Sequence, residues 1–257
     1  MDDKSQTVNL DLETTCIQTV DLDSIKYIND PFPYCVIDNF IENKDLIQYI
    51  SNEVNNMKLN NANCKFTNEK ERNKFAFDKI SNLPVKINDL LTHLTSKEFV
   101  KKLEKLTGIS GLIVNDKSLK GAGIHIITTG GRLGLHTDFN SFIHPKYGKL
   151  DRRINLLLYL NENWQDDYKG DLLLCDASTK KVAKRISPVI NRCVIFNTTN
   201  KSIHGHPEDL NVPPNIRRKS IAVYYYTINK NSKLDFEGDA PHSTLWHEYK
   251  NFEDLTK

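Results

Sequence analysis

The sequence predicts an α+β fold in which supporting helices precede a jelly-roll core. Two patterns in the chain of 257 residues indicate this class. Residues 41–108 carry apolar side chains at the spacing of amphipathic helices. Residues 111–227 form short runs rich in Ile, Val, Leu, Tyr and Thr between turn signals, a pattern typical of a β-sandwich or barrel. We expect the helices to pack on the sheet, so that residues 31–257 form a single domain.

Three helices are predicted in the N-terminal part, after a short strand in PFPYCVIDNF at 31–40. The first has its apolar side chains at helical spacing, namely Leu46, Ile47, Ile50, Val54 and Met57. VKINDLLTHL and TSKEFVKKLEKLTG are the second and third helices. In the third, Thr95 and Glu98 fit a capping box, and Gly108 follows the last helical residue.

Two polar segments lie before and between these helices. Residues 1–30 are polar, and we expect them to be partly flexible. Residues 58–82 are rich in Asn and Lys, and we expect them to form an exposed excursion. Together with residues 140–152 and 228–245, this excursion is a candidate for selecting a substrate, although the sequence indicates no particular one.

Nine short runs are predicted to be the strands of the jelly roll. They are GLIVND (111–116), GIHIITT (123–129), LGLHTDF (133–139), RINLLLYLN (153–161), GDLLLCD (170–176), KRISPVI (184–190), RCVIFNTT (192–199), KSIHGHP (201–207) and RKSIAVYYYT (218–227). Between the second and third runs, TGGRLG at 129–134 lacks the Lys-Ser/Thr ending of a phosphate-binding loop. We therefore interpret this glycine-rich stretch as a hairpin turn.

The composition argues against several classes of protein. The formal net charge is +2, which is too small to indicate a nucleic-acid partner. The basic runs at 101–102, 152–153 and 217–219 are more typical of solvated faces. No apolar run approaches the roughly 18 residues of a membrane span, so we expect no membrane partner. These patterns do not predict an oligomeric state.

Five cysteines are scattered through the chain without a CxxC pair. Their odd number and their spacing argue against a disulfide framework and against a thiolate zinc site. The N-terminal residues MDDKSQTVNLDLETT contain neither the basic nor the apolar region of a signal peptide. Reduced thiols and a cytoplasmic location are therefore predicted.

The segment GLHTDFN contains a pattern that suits metal binding, His136-Thr137-Asp138. Along a strand, residues two apart share a face, so the imidazole and the carboxylate can point at one metal ion. HxD alone is a weak signal, because a turn histidine beside a solvated aspartate gives the same pattern. A second imidazole would complete a two-histidine, one-carboxylate triad, which suits non-haem Fe(II). SIHGHP supplies His204 and His206, and their equal parity leaves both open as the third ligand.

A candidate anchor for a dicarboxylate lies near the end of the β-rich region. Arg218 has a planar fork that matches a carboxylate, and Ser220 shares its face of the strand. If this face points inward, Arg217 and Lys219 face outward. Tyr159 in LLLYLN could donate a hydrogen bond to the same carboxylate. A surface arginine and a core tyrosine remain the alternatives for these two residues.

Six segments resemble, in the same order, those of prolyl 4-hydroxylase-like 2-oxoglutarate/Fe(II)-dependent dioxygenases. They are GIHIITTGGRLGLHTDFN, RRINLLLYLNENW, GDLLLCD, NRCVIFNTT, SIHGHPEDL and RRKSIAVYYYT. The resemblance covers roughly residues 100–227 and extends more weakly to PFPYCVIDNF and HSTLWHEYK. HxD followed by a later histidine and an arginine, with matching strands between them, is a specific combination. It implies a double-stranded β-helix fold with iron at its open mouth.

The resemblance implies a catalytic metal centre of three residues. His136, Asp138 and His204 match the iron ligands, and the SxHGxP pattern selects His204 over His206. Asp138 favours hydroxylation, because a related halogenase would need a small residue at that position to leave room for halide.

The resemblance also implies how 2-oxoglutarate is bound. Arg218 matches the residue that binds its distal carboxylate, and Tyr159 matches a tyrosine that assists. Ser220 shares the face of Arg218, and Asn155 shares that of Tyr159, so both are further candidates for binding this co-substrate. His125 is a candidate for lining the pocket from the first barrel strand.

The implied activity is hydroxylation of a C–H bond with O₂, release of succinate and CO₂, and ascorbate as a reductant. The resemblance favours a prolyl residue in a protein or peptide as the substrate. A free amino acid or a small natural product is the first alternative. A non-catalytic β-barrel that binds a metal or ligand is the second, although it would not need the dicarboxylate anchor of Arg218. The small net charge argues against a nucleic-acid demethylase of the same chemistry.

Overall fold

The computed structural model describes residues 16–116, 118–228 and 240–256. Residues 1–15, which were expected to be flexible, and residues 229–239, part of a predicted selectivity loop, lie outside these described residues. Within them the chain forms three α-helices and twelve β-strands. The helices are α1 (Lys44–Asn56), α2 (Val85–Leu94) and α3 (Lys97–Thr107). The strands are β1 (Tyr34–Ile37), β2 (Cys64–Thr67), β3 (Glu71–Phe77), β4 (Gly123–Thr137), β5 (Ser141–His144), β6 (Gly148–Tyr159), β7 (Leu172–Asp176), β8 (Lys181–Ile186), β9 (Cys193–Asn197), β10 (Ile203–His206), β11 (Arg218–Ile228) and β12 (Leu245–Trp246).

The strands pair antiparallel in the order β1-β9-β6-β11-β4-β10-β7-β8, and strand β4 is shared by two layers. The first half of β4 pairs with β11, where Ser220 lies opposite His125. Its second half pairs with β10, where His204 lies opposite His136. The sheet therefore curls around an interior that both layers face, and the predicted α+β jelly-roll class is confirmed.

The glycine-rich stretch in β4 is a bulge within one long strand. Arg72 on β3 lies opposite Arg132 on β4, and Lys74 lies opposite Ile127. Between these two pairs β4 therefore contains more residues than β3. Gly130 has a φ of 68°, and the backbone of Leu210 bonds to both Gly130 and Gly131. Because β3 pairs with β4 on both sides of the glycines, the chain continues in the same direction. The prediction of a hairpin turn at 129–134 is wrong.

The predicted exposed excursion at 58–82 is also wrong for its central part. Strands β2 and β3 form a hairpin, and β3 pairs with β4, with Phe77 opposite Ile124. Ala76 and Phe77 are buried. The sequence conceals this strand because its first four residues, Glu71–Lys74, are all polar. GLIVND, in contrast, makes no strand in the described residues, and Leu112 forms an isolated bridge to Thr227.

The helices pack on the outer face of the sheet, as expected. One hydrophobic cluster contains buried side chains from α1, α2, α3 and from strands β6 and β11, among them Ile50, Leu90, Leu103, Leu156, Leu158 and Ile221. That residues 31–257 form a single domain stays a prediction. No helix within the described ranges is long and apolar enough to cross a membrane.

The start of α3 differs from the predicted capping box. Ser96 is the N-cap, and its hydroxyl accepts a hydrogen bond from the backbone N–H of Phe99 at 3.2 Å. Thr95 instead ends α2, since its hydroxyl donates to the carbonyl oxygen of Leu91 at 2.8 Å. Because only two residues separate the helices, Thr95 serves as the C-cap of α2 and is not available to cap α3. Gly108 follows α3 in the left-handed conformation, with a φ of 72°.

Gly123, at the start of β4, tests the attachment of the β2–β3 hairpin. Its φ is +95°, and a Cβ atom there would overlap the carbonyl oxygen of Phe77 on β3. We expect Gly123→Ala to lower the free energy of unfolding by about 2–4 kcal/mol, from backbone strain together with the clash. Gly148→Ala is the matched control, because Gly148 also has a positive φ but no heavy atom within 4 Å of the added Cβ. Urea unfolding measures both changes, and equal losses would contradict the clash.

Candidate metal centre

Three side chains from separate positions in the chain converge inside the jelly roll. His136 lies near the end of β4, Asp138 follows that strand, and His204 lies on β10 directly opposite His136. Their potential ligand atoms all lie within 4.8 Å of one another. Nε2 of each histidine is 3.5 Å from an oxygen of Asp138. All three residues are buried.

Backbone carbonyl groups set the tautomers of both histidines. Nδ1 of His136 lies 2.9 Å from the carbonyl oxygen of Gly134, and Nδ1 of His204 lies 2.9 Å from that of Ser202. A carbonyl oxygen only accepts, so each Nδ1 carries the hydrogen and each Nε2 keeps its lone pair. Burial lowers the pKa of His204 to about 4, which keeps this ring neutral at pH 7. Two imidazoles and one carboxylate form a donor set that fits Fe(II) and leaves coordination positions open.

Asn155 and Arg152 orient the carboxylate of Asp138. Nε of Arg152 donates to Oδ1 of Asn155 at 2.9 Å, so the amide nitrogen of Asn155 is left to donate to Oδ2 of Asp138 at 2.6 Å. The guanidinium of Arg152 also forms an ion pair with Oδ2, at 3.0 Å. Burial opposes ionisation of Asp138, but the charge of the Arg152 guanidinium holds the pKa of this carboxyl well below its usual range. The carboxylate is therefore charged and fixed in direction.

Arg152 is a residue that the sequence interpretation missed. The run at 152–153 was expected on a solvated face, yet Arg152 is 1% exposed and its guanidinium lies 3.4 Å from the ring centre of Tyr224. Alternation from Tyr159 predicts Arg153 on the inner face. A register shift between β6 and β11 reverses this, because Ile154 lies opposite Tyr225 and Arg152 opposite Tyr226. The bulge brings Arg152 into the interior.

Arg218 and Tyr159 lie together on the inner face, as predicted. Nε of Arg218 donates to the carbonyl oxygen of Gly170 at 2.7 Å, and Nη2 donates to the hydroxyl of Tyr159 at 3.4 Å. Burial raises the pKa of Tyr159, so its phenol is neutral and able to donate. Ser220 lies opposite Tyr159 in the pairing of β11 with β6. These three residues form one polar group on neighbouring strands.

Lys219 and Arg217 lie on the other face of β11, but they are less solvated than expected. Lys219 is 7% exposed, and its Nζ donates to the hydroxyl of Ser51 on α1 at 3.2 Å. Arg217 donates to the carbonyl oxygen of Met57, just beyond that helix, at 3.1 Å. The alternation is as predicted, whereas the solvated face is wrong for Lys219, because α1 covers this side of the strand.

A cavity of about 280 Å³ joins the triad to the polar group around Arg218. Its walls include every residue predicted for the site, namely His136, Asp138, His204, Arg218, Tyr159, Ser220 and Asn155. His125 and His206 also line it. Asn155 bonds to Asp138 and Arg152 within this wall, and its part in binding a co-substrate stays a prediction.

Two segments beyond the predicted site complete the cavity. The β2–β3 hairpin contributes Phe66 and Lys74, and the C-terminal strand β12 contributes Trp246. The ring of Trp246 lies 5.3 Å from that of His136, and the two residues are paired across β12 and β4. The resemblance of HSTLWHEYK was the available signal for Trp246, while the polar sequence of the hairpin gave none. The predicted selectivity loop at 140–152 is largely the paired strands β5 and β6.

Comparison with known proteins agrees with this arrangement. Residues 122–226 match the sequence profile described as the 2OG-Fe(II) oxygenase superfamily. The mouse (Mus musculus) protein named Prolyl 3-hydroxylase OGFOD1 is 26% identical over 205 residues, which are 77% of this chain and 33% of that protein. The chain thus spans about a third of the length of this curated relative.

Two solved structures share the fold. A Pseudomonas putida prolyl-4-hydroxylase superposes with a TM-score of 0.54 at 16% identity, covering 85% of this chain and 100% of that one. A Trichoplax adhaerens prolyl hydroxylase, solved with a peptide fragment of the hypoxia inducible factor oxygen degradation domain, has a TM-score of 0.54 at 18% identity. That superposition covers 89% of this chain and 94% of the other. The jelly-roll fold is therefore shared at low sequence identity.

Asn155→Leu tests the support of the triad. Loss of the hydrogen bond to Asp138 leaves the carboxylate less well directed, and we expect the affinity for Mn(II) to fall about 10- to 100-fold. Thr198→Val is the matched control, since the Thr198 hydroxyl contacts Oδ1 of Asn155 at 3.4 Å on the side away from Asp138. Calorimetric titration of the metal-free protein measures both affinities. An unchanged affinity in Asn155→Leu would contradict the supporting role.

Proposed function

We propose that this chain, whose residues 122–226 match the sequence profile of the 2OG-Fe(II) oxygenase superfamily, is an Fe(II)- and 2-oxoglutarate-dependent dioxygenase that hydroxylates a C–H bond. One observation above all supports the proposal. Two imidazole nitrogens and a carboxylate lie within 4.8 Å of one another, in a cavity that Arg218 also lines. A metal-binding protein without co-substrate chemistry would not need a buried arginine in the same cavity as the triad.

In the proposed enzyme, His136, Asp138 and His204 would hold iron. Iron bound with 2-oxoglutarate supplies the oxidation of a C–H bond by O₂, with release of succinate and CO₂. The chain itself supplies direction and charge. Asn155 and Arg152 keep Asp138 ionised and oriented, and the backbone carbonyls keep both Nε2 atoms available.

Arg218, Tyr159 and Ser220 are proposed to bind the distal carboxylate of 2-oxoglutarate. Arg218 is 4% exposed, so its charge acts on a bound anion with little screening by water. Its bond to the carbonyl oxygen of Gly170 fixes the plane of the guanidinium. Ascorbate as the reductant and a cytoplasmic location are further parts of the proposal, and scattered free cysteines suit a reducing compartment.

A prolyl residue in a protein or peptide is the proposed substrate. The name of the mouse relative, a prolyl 3-hydroxylase, motivates this choice. The residues that line the cavity include the aromatic side chains of Phe66, Tyr224 and Trp246, and aromatic faces pack well against a saturated ring. Trp246 is 36% exposed, so a peptide could reach it from solvent.

Turnover of 2-oxoglutarate to succinate tests the function. We expect succinate formation that requires Fe(II) and increases with a suitable prolyl peptide, measured against a panel of prolyl peptides and free amino acids. Stimulation by a free amino acid instead would overturn the proposed substrate but keep the enzyme. Tight metal binding with no succinate and no binding of 2-oxoglutarate would leave a metal-binding barrel.

His204→Ala and Asp138→Ala test the metal ligands. Each removes one of three ligands, and we expect the Mn(II) affinity to fall more than about 100-fold in a calorimetric titration. His144→Ala is the control, because the ring of His144 faces Asp116 at 3.6 Å instead of the triad. Retention of Mn(II) by His204→Ala would contradict the assignment of the third ligand.

Arg218→Leu tests the anchor for the diacid. Loss of a charged hydrogen bond costs about 1.5–3 kcal/mol, so we expect the KM for 2-oxoglutarate to increase about 10- to 100-fold. The affinity for Mn(II) should not change. Arg217→Leu, on the opposite face of β11, is the control and should leave this KM unchanged. Similar increases in both variants would mean that the effect is not specific to the cavity.

A further inference from the structure

His206 has no role in the centre described above, yet it lines the same cavity. It is 3% exposed, and neither of its ring nitrogens has a hydrogen-bond partner among the residues that the structure describes. Buried polar groups in proteins nearly always have a partner, so an orphaned imidazole calls for an explanation. Since the ring borders a cavity, a ligand in that cavity can supply the missing partner.

The position of the ring is fixed by the pairing of β10 with β4. His206 lies opposite Leu133, while His204 lies opposite His136. A Cβ atom on Gly205 would come within 2.6 Å of the carbonyl oxygen of Gly134. The two backbones therefore touch between the two histidines, and only glycine permits this approach. His206 is therefore held on the inner face of β10, two residues after His204.

The surroundings of His206 are positively charged. The cationic side chains of Arg218 and Lys74 line the same cavity as the ring of His206. Lys74 is paired with Glu71 at 2.8 Å, whereas Arg218 bonds only to neutral groups, Gly170 and Tyr159, among its described hydrogen bonds. An imidazole has an N–H to donate, and in a cavity that the guanidinium of Arg218 also lines, that donor suits an anion.

A role as metal ligand does not explain His206. The described residues whose ligand atoms lie within 4.8 Å of one another are His136, Asp138 and His204, and His206 is not among them. An apolar packing role does not explain it either, because an aliphatic side chain would fill the same space without leaving two polar atoms unpaired.

We propose that His206 binds the co-substrate, by donating an N–H hydrogen bond to the carboxylate that Arg218 holds. This inference rests on the proposed function, since it names a further residue for the same dicarboxylate. His206 and Arg218 come from different layers of the jelly roll, β10 and β11, so the carboxylate would be held from both layers. The contact distinguishes a diacid from a 2-oxo acid that lacks a second carboxylate.

Equilibrium binding to the Mn(II)-loaded protein under nitrogen tests this role without turnover. The probes are 2-oxoglutarate and pyruvate, which share the 2-oxo acid group but differ in the second carboxylate. We expect His206→Leu to raise the Kd for 2-oxoglutarate about 10- to 100-fold. His206→Gln keeps an N–H donor and should recover most of the affinity. The Kd values for pyruvate and for Mn(II) should stay within about twofold of wild type.

Ile127→Val is the control for the shape of the cavity, because Ile127 lines the same space without a polar side chain. It should leave the Kd for 2-oxoglutarate nearly unchanged. An unchanged Kd in His206→Leu overturns the inference alone, as does an equal loss for pyruvate or a loss of Mn(II). If the wild-type protein binds Mn(II) but not 2-oxoglutarate, the proposed function fails and this inference fails with it.

Discussion

The antiparallel pairing of β4 with β10 is the constraint on which the site depends. It sets His204 directly opposite His136, although the two residues are far apart in the chain. The same strands set the ring tautomers, because the carbonyl oxygens that accept from Nδ1 lie two residues before each histidine. A slip of one residue would turn one imidazole to the other face of its layer. The glycine contact between the two backbones opposes such a slip.

A buried carboxylate in this position needs compensation, because desolvation alone would favour its protonated form. Arg152 supplies the compensating positive charge, and Asn155 donates a hydrogen bond. Both contacts are made to Oδ2 of Asp138. Phe139 and Tyr224 cover the guanidinium, so the ion pair is screened little by water. The orientation of one metal ligand therefore depends on a bulge in β6, several residues away from the triad.

The cavity has two kinds of wall. The strands that match the superfamily profile carry the triad and the polar group around Arg218. The outer walls come from the β2–β3 hairpin and from β12, both of which lie outside the matched residues and attach to β4. Arg185 holds the segment after β12 by its ion pair with Asp254 at 2.7 Å. Differences in substrate among proteins with this core would accordingly arise in these attached segments.

The sequence by itself determined the helices, most of the core strands and the seven predicted site residues that line the cavity. Apolar periodicity is local, and alternation along a strand assigns Arg218 and Ser220 to one face without knowledge of neighbouring strands. Only the tertiary structure decided the continuity of β4, the β2–β3 hairpin, the position of Arg152 and the burial of the His206 ring without a partner among the described residues. Each of these depends on pairing between distant segments. A bulge shifts the face of Arg152 because β11 lies beside it, and the ring of His206 is buried without a hydrogen-bond partner among the described residues.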